Sequence, residues 1–184
     1  MSVATDAFGN GLIAVTEALR LTANDPADQV RLLSNLAAFT PAGITGPSGL
    51  GTMTTATGAL CRRAALASLA TACAAYEPSS YDDAITVKAS VVALFDAEIT
   101  IAADAGDTAS YGALRDLSAA VADDLDARGA DLPHLQIVTE NVPLPALALA
   151  YKLYRDATRA ADLIARADPP HPAFMPVSFQ ALTS

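Results

Sequence analysis

The stretch that decides the fold is YDDAITVKASVVALFDAEITIAADA, residues 81–105. Its apolar side chains recur at helical spacing and form one stripe, made of Ile85, Val92, Phe95, Ile99 and Ala102. A second apolar face adds Val91, Leu94 and Ile101. A helix that is apolar on two faces packs against neighbours on both, so the pattern predicts the central helix of a bundle. The preceding Ser80-Tyr81-Asp82-Asp83 resembles a capping box with aspartate in place of glutamate.

The segments on either side also show helical spacing. Upstream, residues 52–76 place four residues on one face: Leu66, Leu69, Cys73 and Tyr76. Downstream, residues 108–129 do the same with Leu114, Leu117, Val121 and Leu125. An N-terminal pair of helices is also predicted. The first runs from residue 7 to 22, with one face made of Leu12, Val15, Leu19 and Thr22. The second runs from Pro26 to Thr40, with one face made of Val30, Leu33, Leu36 and Ala37. The sequence therefore predicts a bundle of about five helices.

The last fifty residues change character. A β-like run covers residues 135–140, helices follow over 145–154 and up to 167, and an extended segment closes the chain. The predicted fold class is therefore mainly α, a helical bundle followed by a small α+β module. Six residues of the module are candidates for packing or for a partner interface: Leu144, Leu147, Tyr151, Tyr154, Phe174 and Phe179.

A shift in composition predicts the domain boundaries. Residues 43–51 contain four glycines and a proline, which indicates a linker. The expected organisation is an N-terminal helical pair over 1–42, the linker over 43–51, the bundle over 52–130 and the C-terminal module over 131–184.

Composition and charge exclude several function classes. The chain has 184 residues, 52% of them hydrophobic, and a net charge of −9. Nucleic-acid binding usually needs a basic stripe, and the one adjacent basic pair is Arg62-Arg63, so the charge disfavours DNA as a partner. Anionic membranes would repel this chain, and neither a secretory signal nor a membrane span is predicted. Cys61 and Cys73, about 18 Å apart on one helix, are expected to be free thiols.

The motifs that carry chemistry are weak. Residues 43–52 are rich in glycine but lack the lysine of a phosphate-binding loop. Two pairs of adjacent carboxylates, at residues 82–83 and 123–124, point in different directions on a helix and so do not converge on one site. The first pair is interpreted as negative charge that complements the dipole at a helix start, and the second as part of a solvent-exposed helix face. His134 and His171 have no partner at metal-ligand spacing, and Cys61 has no neighbouring histidine to activate it. No enzyme activity, cofactor or metal is therefore predicted.

One anion site is considered at the C-terminal end. Arg155 and Arg159 are one helical turn apart, and Arg166 follows. Because Asp156 and Asp162 are close in sequence, surface ion pairs are favoured over an anion site.

Several stretches resemble the C-terminal region of the Mu-like phage DNA circularisation protein family, also called tail protein N. They lie between about residues 50 and 184: ALCRRAAL at 59–66, YDDA at 81–84, ADAGD at 103–107, YGALR at 111–115, LALAYKLYRDA at 147–157, RAADLIARAD at 159–168 and PHPAFMP at 170–176. These are packing and turn motifs without a catalytic signature. The family's proteins are longer and carry a further N-terminal domain, so the chain is expected to be a piece of a longer protein.

The order strand, helix, helix, extended segment over the last fifty residues also resembles a LysM module. Ala167-Asp168-Pro169 stands where that module typically has an asparagine after its second helix, which favours structural docking over glycan binding.

The resemblance implies a bacteriophage or prophage virion component of the tail or baseplate. Such a protein is synthesised in the bacterial cytoplasm, docks to other tail proteins and is expected to be a homo-oligomer. The family is also linked to DNA circularisation after injection. Two alternatives therefore stay open, a DNA-end-binding module and a peptidoglycan-binding module.

Overall fold

The computed structural model describes residues 2–42 and 50–183, and the backbone alone for residues 2–6. The elements in chain order are α1 (Ser2–Arg20), α2 (Pro26–Ala37), α3 (Leu50–Ala75), α4 (Tyr81–Asp104), α5 (Thr108–Gly129), β1 (Leu135–Thr139), α6 (Ala146–Tyr154), a 3-10 helix (Ala157–Arg159), α7 (Ala160–Ala167) and β2 (Ser178–Leu182). The prediction of a mainly helical fold that ends in a small α+β module is confirmed. Of the predicted linker, Leu50 and Gly51 belong to α3, and residues 43–49 lie outside the described part.

The chain forms two compact units. The first contains the described residues up to Pro78 together with Ala84–Arg128. The second contains Ser79–Asp83 and the chain from Gly129 onward. The helical pair predicted as a separate domain over 1–42 shares the core of the first unit, because Val30 and Leu33 of α2 are buried in the same cluster as α3 side chains.

The core of the first unit follows the predicted apolar stripes of α2, described above, and of α3, α4 and α5. The buried residues of these stripes are Leu66, Leu69 and Cys73 of α3 with Tyr76 just after it, Phe95 and Ala102 of α4, and Leu114, Val121 and Leu125 of α5. Removing these apolar side chains from water contributes about 25 cal/mol for each Å² of apolar surface. The second apolar face predicted for α4 is only partly buried, since Val91 is buried but Ile101 is exposed.

The predicted inward face of α1 is wrong at Val15. Val15 is 62% exposed, whereas the neighbouring Thr16 is buried. The Ser68 hydroxyl of α3 donates a hydrogen bond to Thr16 Oγ1 at 3.0 Å, and the Thr16 hydroxyl lies 3.0 Å from the Ile13 carbonyl oxygen. Because this buried pair satisfies two hydroxyls, the helix turns Thr16 inward and Val15 toward solvent.

The second unit is a two-stranded antiparallel sheet with two helices. Leu135 pairs with Leu182 and Val138 pairs with Phe179. Phe179 and Ala181 of β2 are buried with Leu149 of α6 and Leu163 of α7. The predicted capping box opens α4 within this unit: Asp83 N–H donates to Ser80 Oγ at 3.1 Å, and Ser79 N–H donates to Asp83 Oδ2 at 2.8 Å.

Candidate interaction surface

The six candidate residues of the C-terminal module divide into two groups. Phe179 is buried, and Leu144 and Tyr154 pack against the same core, so these three act as packing residues. Leu147, Tyr151 and Phe174 do not pack into the module, because they are 62%, 57% and 68% exposed. Their assignment as a partner interface stays a prediction.

The exposed side chains stand on a fixed backbone. Ala146 N–H, in the first turn of α6, donates to the Pro172 carbonyl at 2.9 Å, and Met175 N–H donates to the Leu144 carbonyl at 3.1 Å. These bonds join the start of α6 to the segment that carries Phe174. A turn holds Phe174 itself, since its N–H donates to the His171 carbonyl at 2.9 Å. The exposed aromatic ring is therefore carried by a backbone whose N–H groups at Phe174 and Met175 are both hydrogen-bonded.

Leu147 and Tyr151 share one exposed face of α6, because residues four apart are neighbours on a helix. Arg155 continues this line as the C-cap of α6, in the left-handed conformation with φ 59°. Its guanidinium carbon lies 5.8 Å from the centroid of the Tyr151 ring. The helix thus carries an apolar residue, an aromatic residue and a cation along one side.

Arg155 and Arg159, predicted to lie one helical turn apart, belong to different elements, since Arg155 caps α6 and Arg159 lies in the 3-10 helix. The Asp156 side chain accepts hydrogen bonds from Thr158 N–H at 2.9 Å and from the Thr158 hydroxyl at 2.7 Å, and this cap starts a separate 3-10 helix. Arg159 then lies over the ring of Tyr154, with 3.7 Å between the guanidinium carbon and the ring centroid. Arg166 does form the expected surface ion pair, with Asp162 at 2.9 Å.

The two histidines have structural contacts. The His134 ring lies 4.4 Å from the Tyr81 ring, centroid to centroid, and its Nδ1 is 3.6 Å from Asp82 Oδ2. His171 Nδ1 accepts a hydrogen bond from Ala173 N–H at 3.0 Å. Among the described residues, no group of three histidine, cysteine or acidic side chains is arranged to hold a metal ion.

The first unit contains a buried charged cluster that the sequence analysis missed. Glu98 of α4 is 2% exposed and receives hydrogen bonds from Arg62 Nε at 2.6 Å and from Arg63 Nε at 2.8 Å. Arg63 also contacts Asp107 Oδ2 at 2.7 Å and Ser110 Oγ at 2.8 Å. The signal was present, since Glu98 lies one turn after Phe95 on the buried stripe, where a lone carboxylate requires a cationic partner.

Asp107 connects this cluster to the start of α5. Hydrogen bonds from the Ser110 hydroxyl and backbone N–H, and then from Arg63, lower the pKa of Asp107 from 3.8 to about 2. These bonds all favour the charged carboxylate, which also occupies the position where negative charge complements a helix dipole.

The cysteines are free thiols, as predicted. Cys73 is buried, and burial raises its pKa to about 11. A thiol held protonated in this way is a poor nucleophile, so Cys73 acts as an apolar packing group.

Open apolar grooves flank α3. One, of about 700 Å³, lies between α3 and α4 and is lined by side chains that include Ala56, Leu60 and Ile101. Another, of about 450 Å³, lies between α3 and α5, and half of its lining residues are alanines. Both grooves present small apolar side chains, which let a neighbouring helix approach closely.

Comparison with known proteins finds no protein-family model that matches this chain. A search of curated proteins likewise finds no match. Within the described residues, no helix is both long enough and apolar enough to cross a membrane.

Proposed function

We propose that this chain is a structural component of a phage or prophage tail or baseplate, and that it acts by docking to other proteins without catalysing a reaction. Two observations support the proposal. The sequence motifs between residues 50 and 184 resemble a phage tail family, and the second unit exposes large apolar side chains on a fixed backbone.

The observation that carries the docking role is the exposure of Leu147, Tyr151 and Phe174. Each is more than half exposed, whereas other apolar side chains of the module form a buried core. Covering such side chains in a complex removes apolar surface from water, which contributes about 25 cal/mol per Å². Clusters of exposed apolar side chains commonly mark protein interaction sites.

The test is co-purification with the neighbouring tail proteins, combined with light scattering of the pure chain and of each mixture. A stable complex of defined stoichiometry with a tail protein is the expected result. A chain that stays monomeric with every neighbouring tail protein would contradict the proposal.

A matched pair of variants locates the interface. The double variant Leu147→Ser and Phe174→Ser removes two exposed apolar groups and should weaken the complex by about tenfold or more. The control is Ile137→Ser, because Ile137 is 74% exposed. It pairs with Gln180 on the face of the sheet opposite to Val138 and Phe179, which contact the core. The control should bind like the unchanged chain. Equal losses in both variants would assign the binding to another surface.

A second candidate is peptidoglycan binding, which the exposed rings of Tyr151 and Phe174 favour, since sugar rings pack on exposed aromatic faces. Pelleting with insoluble peptidoglycan distinguishes it from docking. Protein recovered wholly in the supernatant excludes the glycan role and leaves the docking role untouched.

A further inference from the structure

Three arginines in the described part of the chain form no ion pair, and each lies over a tyrosine ring. Arg115 is 5.7 Å from the centroid of Tyr111, Arg155 is 5.8 Å from that of Tyr151, and Arg159 is 3.7 Å from that of Tyr154. Every other lysine and arginine of the described residues contacts a carboxylate, as expected for a chain with 20 acidic and 11 basic residues.

Two of the three unpaired arginines lie in the second unit, close together in sequence. The nearest carboxylate in sequence, Asp156, accepts two hydrogen bonds from Thr158 at Oδ1 and forms no ion pair with either arginine. Asp162 pairs with Arg166 through its Oδ1. Because neither Arg155 nor Arg159 is in an ion pair with a described carboxylate, their N–H groups can bind a carboxylate from another molecule.

Stacking prepares these guanidinium groups for binding. A guanidinium that lies over an aromatic face loses little further freedom when the N–H groups at its edge bind a carboxylate in a bidentate pair. The two rings under these arginines, Tyr151 and Tyr154, are three residues apart on α6 and are therefore neighbours on its surface. Leu147, one turn before Tyr151, extends this surface with an exposed apolar side chain. The surface thus combines two oriented cations with an apolar strip.

We infer that this surface, the arginine–tyrosine patch of Leu147, Tyr151, Tyr154, Arg155 and Arg159, binds an acidic amphipathic segment of a partner protein. The carboxylates of that segment pair with Arg155 and Arg159, and its apolar side chains cover Leu147 and Tyr151. The inference rests on the docking role proposed above and adds the chemistry of the partner.

Charge favours a protein segment over a nucleic acid. A nucleic acid gains most of its affinity by releasing counterions from many phosphates, and two arginines neutralise few of them. The chain as a whole has a net charge of −9, which repels a polyanion at long range. A short acidic segment needs only the local pairs and the apolar contact.

The test uses the full chain and two labelled probes. One is a synthetic amphipathic peptide with leucine at every fourth position, two glutamates one helical turn apart and neutral residues elsewhere, and the other is a single-stranded oligothymidylate of equal length. Fluorescence anisotropy gives the affinity of each probe at low and at moderate salt. The peptide should bind about tenfold more tightly than the oligothymidylate, and its affinity should fall as the salt concentration rises.

Variants then locate the binding. The double variant Arg155→Glu and Arg159→Glu should lower the affinity for the peptide by about tenfold or more. The control is Arg115→Glu, which reverses the third unpaired arginine in the first unit and should change the affinity less than about twofold. Circular dichroism checks the fold. If Arg159→Glu unfolds the module, Arg155→Glu alone applies the same test at an exposed side chain.

Four results would overturn the inference. The peptide fails to bind, or it binds the double variant as tightly as the unchanged chain. Alternatively, Arg115→Glu lowers the affinity for the peptide as much as the double variant does, or the oligothymidylate binds more tightly than the peptide. The tail-protein experiment is independent, because a complex can form through other residues even when the acidic peptide does not bind.

Discussion

The carboxylate of Glu98 accepts a hydrogen bond from Nε of Arg62 at 2.6 Å, in a place where Glu98 is 2% exposed. Its second oxygen accepts from Arg63 at 2.8 Å. Two cations on α3 thereby hold one anion on α4, and Arg63 extends the cluster to the start of α5 through Asp107. This network fixes how three helices of the first unit meet.

Replacing Glu98 by alanine should destabilise the first unit. Arg62 and Arg63, 14% and 24% exposed, would then be left without their shared partner, and breaking a buried pair costs about 3–5 kcal/mol. The free energy of unfolding from urea denaturation measures the effect. Asp96→Ala, at an exposed carboxylate of the same helix, should change it by less than about 0.5 kcal/mol. Similar losses in both variants would show that the cluster contributes little.

Asp107 should make the stability of the first unit depend on acid pH. Its pKa is lowered from 3.8 to about 2 in the folded chain by Ser110 and then Arg63. A lowered pKa means that the folded state binds the proton more weakly, so this stability is present above pH 3.8 and is lost as the pH falls toward about 2.

Unfolding free energies measured across this pH range check the sign. Asp107→Asn should flatten the curve between pH 3.8 and about 2, whereas Asp116→Asn, at an exposed residue of α5, should leave it unchanged. A curve that keeps its slope in Asp107→Asn would assign the acid sensitivity to other carboxylates.

Apolar periodicity was enough to predict most of the fold and little of the polar structure. Stripes such as Leu66 and Leu69 predict burial because a helix repeats every 3.6 residues. The Thr16–Ser68 pair joins residues far apart in sequence, so no local pattern reveals it. The position of Glu98 on the buried stripe signals a cationic partner, but the pattern does not identify Arg62 and Arg63 on another helix as that partner. The stacking of Arg159 on Tyr154 likewise joins a side chain of the 3-10 helix to one of α6, so the periodicity of either segment does not reveal it.

Glycine substitutions should separate close packing from helix propensity. A Cβ added at Gly58 of α3 would lie 2.8 Å from Cγ of Pro41, whose ring cannot turn aside, so Gly58→Ala should destabilise the chain by about 1–3 kcal/mol. At Gly112 of α5 nothing lies within 4 Å, so Gly112→Ala should stabilise it by about 0.5–1 kcal/mol. Chemical denaturation of both variants gives the two signs. A stabilising Gly58→Ala would show that Pro41 does not pack tightly against α3.

The Tyr154 hydroxyl should contribute to the stability of the second unit independently of the stacked arginine. It donates a hydrogen bond to the Leu182 carbonyl of β2 at 2.9 Å, which ties α6 to the closing strand. Tyr154→Phe keeps the ring under Arg159 and removes this bond, so unfolding should become easier by about 1 kcal/mol. Tyr151→Phe is the matched control, because Tyr151 is 57% exposed and its loss of a hydroxyl should cost less than about 0.5 kcal/mol. Hydrogen exchange of the β2 amides measures the local effect, and equal protection in both variants would show that the bond does not hold the strand.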